Sequence, residues 1–390
     1  MGEALYPPLL RAAVRYFALR DAAELVSLAG SIVATPTDVL WEALWWRHRS
    51  PALTAGALVK AHQEQLISLP SALLERCDAL LDAAQRRYMA LRAVATNIAQ
   101  AFANSGIAYC FLKGMALTEQ VYPQIGGRVT RLFGDLDVAI SSKSAGRASE
   151  LLISLGFLHH GGGEDHRVFV LPVDRPLWEG LPLFERPVRL TSELEEAIRF
   201  GSRHVFLELH VGPVLGRGLL WQRRELPVDS LEGHLLHACL HYAKHLMAHS
   251  THPTSLVDAA LILNRSDFEG AVFLDLIGED RELQRWVAVS LGGCVAAFGE
   301  EILPGSVRAV RFWQGFRAGC RLGQGVASDH PSLFQKARSF LAPDLLWLWG
   351  PFVLNGLRSL GLAWAPAGSR RRRAARWVFR RTLKPLLWEG

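Results

Sequence analysis

The stretch Phe111–Ile140, FLKGMALTEQVYPQIGGRVTRLFGDLDVAI, decides the architecture. Its first residues close a short apolar run, Ile107–Leu112 (IAYCFL), which reads as a strand and ends at Lys113-Gly114. Met115–Val121 follows with helical spacing at Leu117 and Val121, and Pro123, Gly126 and Gly127 mark a loop. Asp135–Ile140 (DLDVAI) then alternates polar and apolar, as a strand with one buried face does. Upstream, Leu91, Val94, Ile98 and Phe102 keep the 3.6-residue period of a helix that stops at Asn104, Ser105 and Gly106. Downstream, a helix through Ala148, Leu151, Leu152 and Leu155 stops at Gly156. The order helix, strand, helix, strand, helix predicts a mixed α/β unit.

Further out, His159–Arg203 is looser. HHGGGEDH (159–166) is expected to be a flexible loop, and HRVFVLPV and GLPLFERPVRL are expected to be hairpin strands. Val205–Val211 (VFLELHV) is a clear strand, with Val205, Leu207, Leu209 and Val211 on one face and Phe206, Glu208 and His210 on the other. Beyond the glycines at 212, 216 and 218 the chain turns helical from about Leu231 to the end of the 320s.

The chemistry is concentrated in FGDLDVAI. In a strand Asp135 and Asp137 point the same way while Leu136, Val138 and Ile140 point to the core. Two carboxylates on one face repel each other, and a divalent cation held by oxygen ligands is the usual compensation. Glu208 offers a third carboxylate from another strand, and such a set would suit a pair of magnesium ions in phosphoryl-group chemistry. The strand ending in Lys113-Gly114 before a helix supplies backbone N–H groups and a cation for phosphate oxygens. On spacing alone, a solvated pair on an edge strand accounts equally well for Asp135 and Asp137.

The order of motifs shifts that balance. The segment FLKGMALTEQVYPQIGGRVTRLFGDLDVAI strongly resembles the uncharacterised nucleotidyltransferase family of the DNA polymerase β superfamily, in which a run of KG, helix, Tyr, Arg and DxD opens the catalytic domain. LELH (207–210) is similar to the family's later strand with the third carboxylate, and LLHACLHYAKHLMAHSTHPTSLVDAALIL to its following helices, so the resemblance covers about 105–265. It implies an α+β fold, with a polymerase β-type core of mixed sheet and flanking helices between N-terminal and C-terminal helical regions. It implies that Asp135, Asp137 and Glu208 hold two Mg2+ ions, with Mn2+ as the alternative, and that Glu208 orients or deprotonates an acceptor hydroxyl. Lys113 and Gly114 would line the triphosphate of an NTP, with ATP the expected donor, and Arg131 would pair with a phosphate or brace the carboxylates. The implied role is a bacterial accessory enzyme of peptide or polysaccharide biosynthesis that modifies a small molecule, a peptide or a protein. Two departures stand out: the wider superfamily has Gly-Ser where this chain has Lys113-Gly114, and about seventy residues separate Asp137 from Glu208, so an insertion must fold aside.

His234, His237, His241, His245 and His249 form one stripe along a helix, beside Lys244. Imidazoles at i and i+4 can share zinc, which opens a His-metal hydrolase reading. The absence of HExxH or an HD pair favours a helix face that leans over the site or satisfies buried groups. Because the resembled family also carries histidine in this helix, His241 and His245 are expected to contact nucleotide phosphate. His210, on the Glu208 face, reads as an acceptor contact, a brace or a satisfied strand histidine. Asp258 is either a partner of the stripe or a helix-bracing acid. The glycines at 161–163 lack the GK[ST] of a phosphate loop, and no GxSxG or Cys-His hydrolase pattern occurs.

Composition limits the other classes. Of 390 residues half are hydrophobic and 21% charged, which excludes a wholly disordered chain. The net charge of +6 is local: residues 370–390 carry seven Arg and one Lys against one Glu, so the other 369 residues sum to −1. A nucleic-acid partner is therefore not expected, since a binder of that kind spreads its charge over a folded face. If helical, the tail sets Ala375, Val378, Phe379 and Leu383 opposite Arg373, Arg376, Arg380 and Lys384. That face suits either an anionic membrane surface or acidic partner, or docking on its own domain. Five scattered cysteines without a CxxC, and no secretory signal, suggest a reducing cytoplasm. The apolar run Leu345–Leu357 is too short to span a bilayer and is broken by Gly350-Pro351. The expected organisation is a helical region at 1–104, the nucleotidyltransferase core at 105–220, a helical domain at 221–335, and an apolar segment with the basic tail at 336–390. A catalytically silent nucleotide-binding scaffold is the alternative to an active transferase, and three retained carboxylates argue against it.

Overall fold

A computed structural model of the chain describes residues 2–40, 50–164, 166–173, 204–212, 230–247, 253–312, 316 and 320. The expected strand within GLPLFERPVRL, the apolar run at 345–357, the basic tail and His249 lie outside the described residues.

The helices are α1 (Gly2–Leu19), α2 (Ala23–Ala34), α3 (Pro51–Gln63), α4 (Ser71–Asn104), α5 (Lys113–Gln120), α6 (Ala145–Ser154), α7 (Leu231–Met247), α8 (Pro253–Leu263), α9 (Gly270–Ile277) and α10 (Arg281–Phe298). The strands are β1 (Tyr109–Leu112), β2 (Gln124–Ile125), β3 (Arg128–Val129), β4 (Asp135–Ile140), β5 (Leu158–Gly162), β6 (His166–Pro172) and β7 (His204–Val211). Five of them form one mixed sheet in the order β1-β4-β7-β6-β5, and β2 and β3 pair as a separate ribbon. This is an α+β fold, a mixed sheet flanked by helices.

Helix α4 is long because Ala, Leu and Arg dominate it and no Gly or Pro interrupts it, and its 34 residues extend about 50 Å. Its buried face follows the helical period through Leu73, Cys77, Leu80, Ala84, Tyr88, Leu91, Ala95, Ile98 and Phe102. Gly106, at φ 63°, turns the chain out of the helix toward β1. One continuous hydrophobic cluster runs from Leu9 to Phe316 and joins the sheet to the helices on either side of it in sequence.

The sheet register follows from burial. Val205, Leu207 and Leu209 of β7 are fully buried, and Phe206, Glu208 and His210 alternate with them on the partly open face. A one-residue slip would reverse the two sets and expose side chains worth about 1.5–3 kcal/mol each. The pairing is therefore held with β4 parallel to β7, and Asp137 falls directly opposite Glu208. Antiparallel β1 on the other side of β4 sets Leu112 opposite Asp137, so Lys113 emerges at the same level.

HHGGGEDH is not the flexible loop that its composition suggests. Residues 158–162 form β5, which pairs antiparallel with β6 and carries an irregularity between His159 and Gly161. Gly162 sits at φ 107° so close to the His166 carbonyl that a Cβ there would lie 2.1 Å from its oxygen. The glycines thus build a tight hairpin turn. The hairpin lies on the outer side of β7, which leaves β4 and β7 adjacent despite their separation in sequence. Among the described residues no helix is long and apolar enough to cross a membrane.

Candidate active site

Strand β4 is buried along its length from Leu136, and Asp137 itself is only 1% exposed. A carboxylate so buried needs compensation, and Lys113 and His210 supply it. Lys113 Nζ donates to Asp137 Oδ1 at 2.6 Å and stands 3.8 Å from Glu208 Oε2. His210 Nε2 bonds the same Asp137 oxygen at 2.8 Å. Burial pushes the Asp137 carboxyl up, but Lys113 and the hydrogen bond from His210 overcome it and hold the group well below the ordinary carboxylate range. Burial pulls Lys113 down, yet Asp137, Asp135 and Glu208 outweigh it and the ammonium is pushed up to about 12.

The other Asp137 oxygen, Oδ2, is buried with no hydrogen-bond partner. Asp135, Asp137 and Glu208 each present an oxygen such that all three lie within 4.8 Å of one another. Burial first, and the charge of Asp137 second, push Asp135 up to about 6. Three carboxylates converging from two adjacent strands, one of them with an orphaned oxygen, are the donor chemistry of a hard divalent cation.

Lys113 is the first residue of α5 and has a left-handed backbone, φ 46°. That conformation is uncommon for a non-glycine residue. Gly114 is required by packing: a Cβ there would lie 2.4 Å from the Phe133 ring. The absence of a side chain at 114 lets the β3–β4 connection pass against α5, immediately before the Asp135 strand.

That connection is clamped by two arginines. Arg87 of α4 donates to the carbonyls of Phe133 at 2.7 Å and Gly134 at 2.8 Å. Burial pulls its guanidinium down to about 9, with Asp135 opposing. Arg131 is expected to reach a phosphate or the carboxylates, but its side chain goes to Asp258 of α8. Its Nε and Nη2 donate to the two Asp258 oxygens at 3.1 and 2.7 Å. Tyr122 donates to Asp258 Oδ1 at 2.6 Å and lies under the guanidinium, 5.2 Å from ring centre to carbon. The physical reason is local: a buried carboxylate with bidentate geometry is a stronger partner for Arg131 than carboxylates already engaged by Lys113.

In the histidine stripe, His234 and His237 are buried, and His237 stacks on His241 with ring centres 6.0 Å apart. Burial, then the charges of Lys113 and His210, hold His237 well below its ordinary value, so this part of α7 faces the site. His241 Nδ1 pairs with Ser255 Oγ at 2.8 Å. The side chain of His245 lies outside the described residues.

Sequence reasoning misses His166 and Arg87. His166 Nε2 lies 3.1 Å from Glu208 Oε2, because β6 pairs with β7 and brings His166 opposite His210. The alternation in HRVFVLPV was the available signal. Arg87 has no motif around it, and the packing of α4 against β3 carries it to the Phe133 and Gly134 carbonyls.

Comparison with known proteins agrees with this geometry. A family model described as uncharacterised nucleotidyltransferase matches residues 37–291, which is more than half of the chain. The search of curated proteins and the search of solved structures find no match.

Proposed function

The chain belongs to the uncharacterised nucleotidyltransferase family, and from that premise we propose that it moves a nucleoside monophosphate from an NTP, with ATP the first candidate, to an acceptor hydroxyl and releases pyrophosphate. The observation that carries this reading is the meeting of Asp135, Asp137 and Glu208 oxygens within 4.8 Å, with Asp137 Oδ2 buried and unpartnered. These residues fit a divalent cation, most simply Mg2+, and would hold it through oxygen alone. Such a cation, when bound, neutralises phosphoryl oxygens and lowers the proton affinity of an attacking hydroxyl.

The protein's own groups supply the rest. The acceptor oxygen attacks the α-phosphorus, the bond from α-phosphorus to the bridging oxygen breaks, and pyrophosphate leaves. Lys113, held charged by three carboxylates, offers the local positive charge for the departing phosphate oxygens. The N-terminus of α5 presents backbone N–H groups beside it. Glu208 would take the acceptor proton toward solvent, a role supported by its partial exposure and its bond to His166. Arg87 and Arg131 hold the connection before β4, so the carboxylates are preset by packing. His237 and His241 line the neighbouring helix face, where a nucleotide would make contact.

The acceptor class suggested by family resemblance is a small molecule, peptide or protein, in a cytoplasmic accessory enzyme of bacterial biosynthesis. Incubation of the full chain with ATP labelled at the α- or at the γ-phosphate, together with a small-molecule cell fraction, tests the reaction type. Nucleotidyl transfer places the α label in product and the γ label in pyrophosphate. A γ label in the product would instead mean phosphoryl transfer.

A further inference from the structure

Two sets of donor atoms meet at Glu208. One is the all-oxygen group with Asp135 and Asp137. The other is His166, Glu208 and His210, whose three donor atoms also lie within 4.8 Å of one another. His166 Nε2 is 3.1 Å and His210 Nε2 3.7 Å from the same oxygen, Glu208 Oε2. Donors bound to one tetrahedral ion at zinc-like bond lengths are separated by roughly 3.3 Å. The two spacings to Glu208 bracket that figure, and the two imidazole donors lie within 4.8 Å of each other.

Backbone pairing presets the arrangement. His166 and His210 are register partners across the antiparallel β6–β7 pair, so their side chains leave the same face of the sheet. Their ring centres are 5.1 Å apart. Glu208 lies two residues before His210 on that face.

We propose that His166, His210 and Glu208 form a second metal site that takes a borderline divalent cation such as Zn2+ or Co2+. It rests on the transferase reading only through the shared ligand Glu208. Imidazole nitrogens suit zinc and cobalt, whereas magnesium takes oxygen ligands, so the two sets discriminate between cations by donor type. Glu208 would bridge unlike ions, a hard one toward Asp135 and Asp137 and a softer one toward the histidines. Binding exchanges the 2.8 Å hydrogen bond between His210 and Asp137 for coordination and leaves Asp137 to Lys113 and the hard cation. Three protein ligands leave a fourth position open, as catalytic zinc sites do. His166 is 37% exposed at its side chain, so solvent reaches this set of donors.

Titration of the metal-free full chain with Co2+ alone, followed by visible absorption, tests the site. The expected result is one equivalent bound with an intense d–d band of low coordination number. His166→Ala and His166→Gln each weaken binding by about tenfold or more. Asp135→Asn removes nucleotidyl transfer but leaves the cobalt band; failure of the transferase reading would appear as no transfer by the wild type, and failure of the Asp135 assignment as retained transfer in the variant, and neither would touch the cobalt result. Circular dichroism melts in EDTA check that the His166 variants fold. In the wild type, Zn2+ must also shift the Nε2 resonances of His166 and His210. Unchanged resonances, a wild-type spectrum identical to aqueous cobalt, or undiminished binding in both His166 variants would overturn the proposal.

Discussion

Lys113 reaches across from the first residue of α5 to donate a 2.6 Å hydrogen bond to Asp137, a carboxylate with no solvent exposure of its side chain. It does so from a left-handed backbone at φ 46°. The strain of that conformation and the burial of Asp137 are offset by one another's consequence, a short charge-assisted bond at the centre of the carboxylate cluster. In the absence of a divalent cation the ammonium is the counter-charge of the site.

Removing that counter-charge should destabilise the metal-free protein. Lys113→Met leaves Asp137 buried beside His210 alone, and loss of one partner of a buried pair costs about 3 kcal/mol or more. Urea unfolding in EDTA at neutral pH measures it. The deficit should shrink as the pH falls, because protonating Asp137 removes the uncompensated charge. Added Mg2+ should stabilise the variant more than the wild type.

Asp135 has the opposite linkage. Its folded value, pushed up to about 6, lies above that of an unfolded aspartate near 4, so between those values the native state holds a proton that the unfolded chain has lost. Stability is therefore full below about pH 4 and falls as pH rises through about 6, by roughly 3 kcal/mol. In EDTA, unfolding free energies of the wild type should show this decline over that window and those of Asp135→Asn should not. Saturating Mg2+ should suppress it, since a ligated carboxylate is ionised.

The Arg131–Asp258 pair is a structural clamp, with both side chains 6% exposed. Arg131→Met or Asp258→Asn alone should cost about 3–5 kcal/mol. The double replacement Arg131→Met with Asp258→Leu should cost less than the sum of the two single changes. A double-mutant cycle by denaturant titration checks the sign of the coupling.

Gly114→Ala should overpack the Phe133 ring, for which a Cβ at 2.4 Å leaves no room. The expected loss is about 1–3 kcal/mol of stability. Adding Phe133→Leu should recover part of it, as measured by thermal unfolding of the single and double variants.

Local periodicity made much of this legible. Val205–Val211 alternates so regularly that its buried face and the outward Glu208 and His210 can be read directly. DLDVAI reads as a strand by the same rule, but β4 lies inside the sheet and is buried on both faces from Leu136 onward, Asp137 included, which alternation alone does not reveal. What could not be read depends on contacts across long sequence distances. Asp258 is 127 residues from Arg131, and its place in an apolar helix leaves both a histidine partner and a bracing role open. His166 opens a stretch that reads as a hairpin strand, but its role was concealed because only the pairing of β6 with β7 sets it opposite His210, while the glycine-rich residues before it, read as a loop, form β5 against β6. Gly114 looked like a phosphate-loop residue, and the structure adds a packing reason that no local pattern carries, the nearness of Phe133.

The most direct measurement is transfer of the α label from ATP by the wild-type chain and by Asp135→Ala, Asp137→Ala and Glu208→Ala, each with and without Mg2+ and with folding verified by circular dichroism. The account predicts Mg2+-dependent transfer in the wild type and a loss of about a hundredfold or more in every carboxylate variant. Full transfer by Asp135→Ala or Asp137→Ala, or equal transfer in EDTA, would contradict it.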